Sequence, residues 1–366
     1  MMSRLLSLAV LALAIAPSAQ SQERPLRVAI AGLNHGHVTG FFNAARRRTS
    51  DVTIVAMWDP DPALLQKYAG PNHVADDQLF TDLDKMLDAV KPEAVATFTD
   101  TYSHLRVVEA ATARHIPVMM EKPLAVDVKQ AHAIEQAATK YGTPVFVNYE
   151  TTWYRSHGEI WNLLHEQKAG GEIRRMVAMD GHQGPKEINV QPEFFAWLND
   201  PVKNGAGALF DFGCYGANLM TWMMDNQRPL KVTALTQTDK PDIYTHVDDE
   251  AMVLLEYPKA QGVIQASWNW PVSRKDFEVY GATGYAIATG GDNLRLRLPG
   301  AKAEEARNPP PLKPQEADYI SYLIGVARGQ FKPYGLSSLE NNVIVIEILD
   351  AARESARTGR TVALQR

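Results

Sequence analysis

Glu121, Lys122 and Pro123 follow directly on a short apolar run, 116–120, and their side chains suit ion-pair and proton-transfer chemistry. A run of that length reads as a strand buried on both faces. In an open α/β sheet, ligands bind in the crevice beyond the carboxyl ends of the strands. A Glu and a Lys projected there by a rigid strand can face a cofactor and a substrate together. Taken alone, the tripeptide reads equally well as a surface ion pair at a strand end. A second pair, Asp211 and Tyr215, lies in a segment read as a helix over 209–224, entered through the small residues Gly205-Ala206-Gly207-Ala208. Their spacing of four puts both side chains on one helical face, one turn apart.

The elements that position the first set alternate. Strand-like runs at 26–31, 53–58, 94–98, 117–120 and 144–148 are separated by helix-like segments at 38–48, 62–68, 83–89, 103–114 and 128–141. Repeated β-α units predict a parallel, doubly wound sheet with right-handed crossovers. The first strand runs into Gly32-Leu33-Asn34-His35-Gly36-His37. A dinucleotide turn has the pattern G-x-G-x-x-G, whose glycines allow a tight bend and close approach of a pyrophosphate. Here Gly32 is in place, Asn34 and His37 occupy the second and third positions, and Gly36 supplies another flexible point. Asn tolerates left-handed backbone better than most residues. Asp59 directly follows the second strand. An acid there accepts hydrogen bonds from ribose hydroxyls and repels a 2′-phosphate, which favours NAD over NADP. The other reading of Asp59 is a turn residue in Asp59-Pro60-Asp61-Pro62. His35 and His37 flank one glycine without a third ligand in sight, and no His-Glu-x-x-His or Cys/His cluster occurs, so no metal is expected.

The 366 residues, 45% hydrophobic and 22% charged with a formal net charge of -5, have room for about two domains and are not basic enough to imply nucleic acid. Residues 1–22 stand apart: Arg4, an apolar run over 5–16, then small and polar residues over 17–22. This is the pattern of a secretory signal peptide, too short in its apolar part to span a bilayer. It predicts a mature chain starting near 20–23, in the periplasm or outside the cell, with no membrane span. The single cysteine, Cys214, excludes an intrachain disulfide, and at that place it reads as buried filler.

After Asn148 the pattern changes. Strand-like runs at 174–179, 231–236, 251–257, 262–268, 277–281 and 294–298 crowd together without helices between most of them, which predicts a large, mainly antiparallel open sheet. The organisation read from this is a signal peptide at 1–22, an α/β domain at 23–148 and an α+β domain at 149–366. His182, Gln183, Trp197, Trp268 and Trp270 offer hydrogen bonds and aromatic platforms of the kind a sugar would use, although singly such residues are more often structural. A last amphipathic helix is expected to start at Ser337 or Ser338, to carry Arg353 and Arg357 in its last turn and to end at Gly359.

The βα turn, Asp59, the segment Thr99–His104, Glu121-Lys122-Pro123 and Asp211-Phe212-Gly213-Cys214-Tyr215, in this order, resemble the glucose–fructose oxidoreductase/inositol dehydrogenase (Gfo/Idh/MocA) family over nearly the whole mature chain. The resemblance implies a Rossmann domain followed by that family's substrate domain. It implies cofactor contacts at Thr99, Thr101, His104, Glu121 and Lys122, beside the turn residues Gly32, Asn34, His35, Gly36, His37 and Asp59. The family's fourth strand is usually followed by Thr-Pro-x-x-x-His, and Asp100 stands here in place of that Pro. By resemblance, Lys122, Asp211 and Tyr215 form the catalytic group, with Tyr215 where most members have His and the glucose–fructose oxidoreductase branch has Tyr. Asn218 replaces the family's next acid. An Arg–aromatic pair near the substrate maps onto Trp153 and Arg155, with Thr152 where that Arg is usual; His182 completes the substrate set. The chemistry agrees: oxidising a secondary alcohol needs a proton acceptor, a free Tyr titrates near 10, and an adjacent Lys cation would favour its phenolate.

The expected function is an exported oxidoreductase moving hydride between a tightly held NAD and a secondary hydroxyl of a sugar, polyol or glycoside. The resemblance implies a homodimer or homotetramer through the open sheet. Because free nicotinamide cofactors are scarce outside the cytoplasm, the cofactor would be regenerated within one cycle. Coupled oxidation and reduction of two sugars achieves this. So does an NAD-dependent glycosidase that oxidises C3, eliminates the aglycone, adds water and reduces again. A non-catalytic sugar-binding protein is the third possibility, and the presence of Lys122, Asp211 and Tyr215 together speaks against it.

Overall fold

A computed structural model describes residues 24–364; the segment read as a signal peptide lies outside them. The first half forms six strands: β1 (Leu26–Ala31), β2 (Val52–Trp58), β3 (Leu79–Phe80), β4 (Ala94–Thr97), β5 (Val118–Glu121) and β6 (Val145–Asn148). They pair in parallel in the order β3-β2-β1-β4-β5-β6. Every residue of β4, β5 and β6 is buried, as expected for strands covered on both faces by helices. The order reverses between β1 and β4, which opens a crevice at their carboxyl ends. The α/β reading of this half agrees with the structure. One local difference concerns the helix expected over 103–114: it is preceded by a 3-10 turn, Thr101–Ser103, and runs over His104–Thr112. Asp100 supports that turn, its carboxylate accepting from the backbone N–H (3.0 Å) and hydroxyl (2.9 Å) of Ser103. The residue that departs from the family pattern is therefore a cap.

The second half builds nine strands: β7 (Ile173–Gly181), β8 (Lys231–Gln237), β9 (Glu250–Glu256), β10 (Gln261–Ser267), β11 (Arg274–Gly281), β12 (Tyr285–Thr289), β13 (Leu294–Arg297), β14 (Glu305–Arg307) and β15 (Val362–Ala363). Their order is β14-β13-β12-β11-β7-β10-β9-β8-β15. The central β7–β10 pair is parallel and the rest antiparallel, so the sheet is mixed and mainly antiparallel. Gly213–Met223 and Leu339–Thr358 pack on one face. On the other face Leu235, Met252 and Leu254 are exposed, with Leu235 and Met252 directly opposite each other across β8 and β9.

Ser338 caps the last helix by accepting from the Asn341 N–H (3.2 Å), and Gly359 closes it in the left-handed conformation. Arg353 lies earlier than the last turn, where it donates to the carbonyls of Val126 (3.1 Å) and Gly205 (2.7 Å) and ties the helix to both halves. The continuous helix expected over 209–224 is interrupted: Ala208–Asp211 ends, Phe212 stays in the right-handed region at a widened φ of -111°, and Gly213–Met223 begins afresh. The Asp211 carbonyl accepts instead from the Lys122 ammonium (3.0 Å) and the Cys214 thiol (3.3 Å), which explains the break. Among the described residues, no helix is long and apolar enough to cross a membrane.

Candidate active site

Lys122 leaves the end of β5 across a cis peptide bond to Pro123 and reaches the second half of the chain. Its ammonium, almost fully buried, donates to the Asp211 carbonyl at 3.0 Å and forms an ion pair with the Asp211 carboxylate. The other carboxylate oxygen accepts from the Trp268 indole N–H at 2.9 Å. Burial disfavours both charges, but each partner's field outweighs it, holding Lys122 above and Asp211 below their ordinary values. The loop that delivers Asp211 is fixed by Asp248, whose carboxylate accepts from the Gly207 N–H (2.8 Å) and the Leu209 N–H (2.7 Å). A Cβ on Gly207 would lie 1.7 Å from the Asp248 carbonyl oxygen, so only glycine fits.

Tyr215 stands beside this pair. The Lys122 ammonium lies 5.3 Å from its ring centroid and the Lys275 ammonium 5.2 Å from it. Lys122, Asp211, Tyr215, His182, Lys275 and Phe194 all face one cavity of about 230 Å³. The three residues assigned to the catalytic group are thus brought together despite the broken helix. The expected electrostatics of Tyr215 is corrected. Burial pushes its hydroxyl well above the ordinary value, and Glu150, Cys214, Asp211 and Glu121 push the same way. His182 is neutral, its value pushed down to about 4 chiefly by burial, and its Nδ1 accepts from the Gly184 N–H at 2.9 Å.

Lys275 was not anticipated. Its ammonium pairs with Glu150 at 2.7 Å, while on β7, directly opposite it, Asp180 is wholly buried with both carboxylate oxygens unpartnered. Burial pushes Asp180 well above the usual carboxylate range. Strand alternation could have found Lys275, because it shares a face with the buried Phe277 and Val279.

The other wall is the crevice at the ends of β1 and β4. Gly32 adopts φ +87°, and a Cβ there would meet the Thr99 backbone nitrogen at 2.7 Å. Asp59 is buried, and its carboxylate accepts from the N–H groups of Leu33 (2.7 Å) and Asp61 (2.9 Å), holding the turn from below. Glu121 accepts from Asn148 Nδ2 (2.8 Å) and pairs with His37 Nδ1 (3.0 Å). Burial opposes its charge, but His37, Asn148 and Lys122 together hold it below the ordinary range. His35 is buried and neutral, its Nδ1 accepting from the His37 N–H at 3.2 Å. The expectation that two histidines here lack a third donor is corrected: one donor atom each from His35, His37 and Glu121 lies within 4.8 Å of the others. The strand end and the turn converge, which spacing along the chain could not reveal.

Four buried polar atoms around this crevice have no partner: Asn34 Oδ1, His35 Nε2, Thr101 Oγ1 and His104 Nε2. Unpaired buried polar atoms are costly, so their clustering fits a ligand rich in hydrogen-bonding groups, as a dinucleotide is. Thr99 uses its hydroxyl on the Asp100 carbonyl (2.9 Å). The helix Pro192–Leu198, from the second half of the chain, lies over the turn. The Trp197 indole N–H donates to the Asn34 carbonyl (3.1 Å), Phe194 packs on His35, and Glu193 takes bonds from Lys67 (2.6 Å) and Tyr68 (3.1 Å).

Trp153 and Arg155 are not brought to this pocket. Trp153 donates to Asn148 Oδ1 (2.9 Å), and Arg155 binds Asp292 (2.8 Å) and the Pro309 carbonyl (3.1 Å); both line a separate cavity. Gln183 and Trp270 are also outside it, Gln183 donating to the Pro271 carbonyl (3.1 Å) and Trp270 lying under Arg274.

Comparison with known proteins finds matches over two segments of the chain. Residues 26–149 match the oxidoreductase family with an NAD-binding Rossmann fold, and residues 162–287 match the GFO/IDH/MocA C-terminal domain. D-apiose dehydrogenase of Paraburkholderia graminis is 24% identical over 350 residues, 89% of this chain and 88% of that protein. Over some other curated relatives the match spans only 42% of their length. Among solved structures, aldose-aldose oxidoreductase from Caulobacter crescentus, complexed with glycerol, superposes with a TM-score of 0.79 at 23% identity, covering 93% of this chain and all 100% of that one. An inositol dehydrogenase homolog from Azotobacter vinelandii, complexed with NAD+, gives a TM-score of 0.80 at 19% identity over 94% and 98% of the two chains. The chain belongs to the Gfo/Idh/MocA family of oxidoreductases.

Proposed function

We propose that the protein is an NAD-dependent oxidoreductase acting on a secondary CH–OH group of a sugar, polyol or glycoside. One observation carries the reading: a buried, charged Lys122–Asp211 pair and Tyr215 share one small cavity at the carboxyl end of β5. Gly32, Asn34, His35, Gly36, His37, Asp59, Thr99, Thr101, His104 and Glu121 would hold the cofactor, whose nicotinamide accepts or returns a hydride when bound. Lys122, kept cationic by Asp211, polarises the substrate oxygen and orients it. Tyr215 exchanges the hydroxyl proton; held neutral as it is here, it is ready to donate to a carbonyl, and oxidation requires a nearby positive charge to stabilise its phenolate. His182 supplies a neutral hydrogen-bonding ring to the same cavity.

The helix Pro192–Leu198 clamped over the phosphate turn supports a cofactor that stays bound between turnovers. That favours in-cycle regeneration, either by coupling two sugars or by the oxidation–elimination–hydration–reduction route to glycoside cleavage. A nitrophenyl glycoside assay without added NAD separates the two, since only the second route releases the phenol. The relatives that act on aldoses and D-apiose support a carbohydrate substrate. We also read residues 1–22 as an export signal and the chain as dividing at 148/149. The exposed Leu235, Met252 and Leu254 support a homo-oligomer through the open sheet. The deciding experiment denatures purified protein and identifies the nicotinamide released: NAD or NADH near one per chain is expected. None released, with no binding of added dinucleotide, removes the proposal.

A further inference from the structure

We propose that the chain carries a second, accessory site that binds a neutral saccharide. It lies between the Trp161–Glu166 segment, the end of the Gly213–Met223 helix and the proline-rich loop 309–314. The cavity there measures about 720 Å³, against about 230 Å³ for the pocket of Lys122, and the two share no lining residue.

Three features set this cavity apart from a packing defect. The Trp161–Glu166 segment is a π-helix, with the Gln167 N–H bonding the Asn162 carbonyl five residues back at 2.9 Å. Such turns are rare and frequent at functional sites. Asp225 and Asn226, two consecutive residues in the same wall, both hold left-handed backbone, at φ 52° and 59°. Asp and Asn adopt that backbone more readily than other residues, and here they close the helix end firmly, the Asn226 N–H bonding the Thr221 carbonyl at 2.9 Å, so this wall is fixed. Finally, Trp161 stacks against His165 on one side (3.6 Å between centroids, 15° between planes) and Trp222 on the other (4.3 Å, 10°). His165 is not in the cavity wall and Trp222 is, so Trp222 ends the stack on the cavity side.

The rim decides the ligand class. Its two cations are already engaged, Arg155 by Asp292 (2.8 Å) and Lys313 by Glu316 (3.7 Å). The acceptors beside them are partly used, Asn162 Oδ1 by Gln167 (3.0 Å), Glu166 Oε1 by Trp161 (3.1 Å), Asp225 Oδ2 by His165 (2.8 Å) and Asn226 Oδ1 by Asn341 (3.4 Å), and the second carboxylate oxygens of Glu166 and Asp225 are left for O–H donors. A carboxylate or phosphate would meet like charge without a spare cation. A ligand with many O–H donors and an apolar C–H face meets both the acceptors and the indole platform, and an uncharged pyranose has that composition. A hydrogen-bond relay links the site to the crevice. The Trp153 indole N–H donates to Asn148 Oδ1 (2.9 Å), and Asn148 Nδ2 donates to Glu121 Oε1 (2.8 Å), next to Lys122.

Calorimetric titration of the full chain with methyl β-D-glucopyranoside and with cellotetraose tests the site. Saturable binding of at least one probe is expected, unchanged in the stability-preserving pair Lys122→Met with Asp211→Asn and weakened about tenfold or more in Trp222→Ala, the loss of one stacking contact. Asn162→Ala, a polar truncation that spares the aromatic stack, should weaken it in the same direction if Trp222→Ala fails to fold. No saturable binding of either probe would overturn the proposal. So would binding abolished by Lys122→Met with Asp211→Asn and untouched by both cavity variants, which would put the sugar in the catalytic pocket. Dinucleotide binding, measured separately on the same wild-type sample, reports on the oxidoreductase reading alone.

Discussion

The two walls of the crevice differ in how they treat their polar atoms. At the ends of β1 and β4, buried groups of Asn34, His35, Thr101 and His104 lack partners, whereas on the opposite wall Lys122, Asp211 and Trp268 satisfy one another. A wall of unpaired donors and acceptors loses free energy until a ligand completes it, which makes it selective for a ligand of matching pattern. A closed ion pair is insensitive to whether a ligand is present, so its charge is in place before substrate arrives and needs no reorganisation during the reaction. Recognition and chemistry are thereby separated onto two walls, the second of them built jointly by Lys122 from the first half of the chain and Asp211 and Trp268 from the second.

Breaking the closed wall should have the largest effect. Lys122→Ala is expected to lower kcat by about 10³-fold or more and, by leaving Asp211 buried and uncompensated, to cost about 3–5 kcal/mol of stability. Lys122→Met combined with Asp211→Asn should recover stability in a denaturant titration but not activity, whereas recovery of activity would move the chemistry elsewhere. Tyr215→Phe leaves the pair intact and should lower kcat by about 10²-fold with dinucleotide affinity unchanged. Gly32→Ala attacks the open wall instead: with φ +87° and backbone atoms of Thr99 in the way, it should weaken dinucleotide binding about tenfold or more while the Lys122–Asp211 pair persists. Fluorescence titration with NADH would read this, and unchanged affinity would argue that the cofactor does not use the turn.

A further predicted effect concerns pH and lies outside both walls. His157 is fully buried, its value pushed down to about 4 by burial against an unfolded value near 6.5. Its contribution to stability is therefore complete above pH 6.5 and lost as the pH falls toward 4, by up to about 3 kcal/mol. Asp248, pushed up to about 6, acts oppositely, losing stability as the pH rises from about 4 to 6. Thermal melts of His157→Gln against wild type isolate the first: the variant's Tm should fall less between pH 7 and pH 4.

Much of this arrangement can be read from residues alone, and the boundary is physical. Local signals located β1, β4, β5 and β6, the Ser338 cap and the Gly359 terminus, because those depend on periodicity and capping within a few residues. The break at Phe212 was hidden, since it arises from a lysine elsewhere in the chain taking the Asp211 carbonyl. Lys275 was visible only to a reader who followed alternation along β11 to a charged residue on the core side. The approach of Glu121 to His35 and His37, and the removal of Arg155 to another cavity, are tertiary facts with no local signature.

Cys214 carries a practical consequence. Its thiol is wholly buried, spent on the Asp211 carbonyl and raised by burial to about 12, so it is a poor nucleophile toward alkylating reagents and disulfides. The chain has no other cysteine. A thiol introduced by mutation on the surface, at Tyr334 beside the accessory cavity or at Leu254 on the outer sheet, would be the single labelling position for a fluorophore or spin label, with no background to remove.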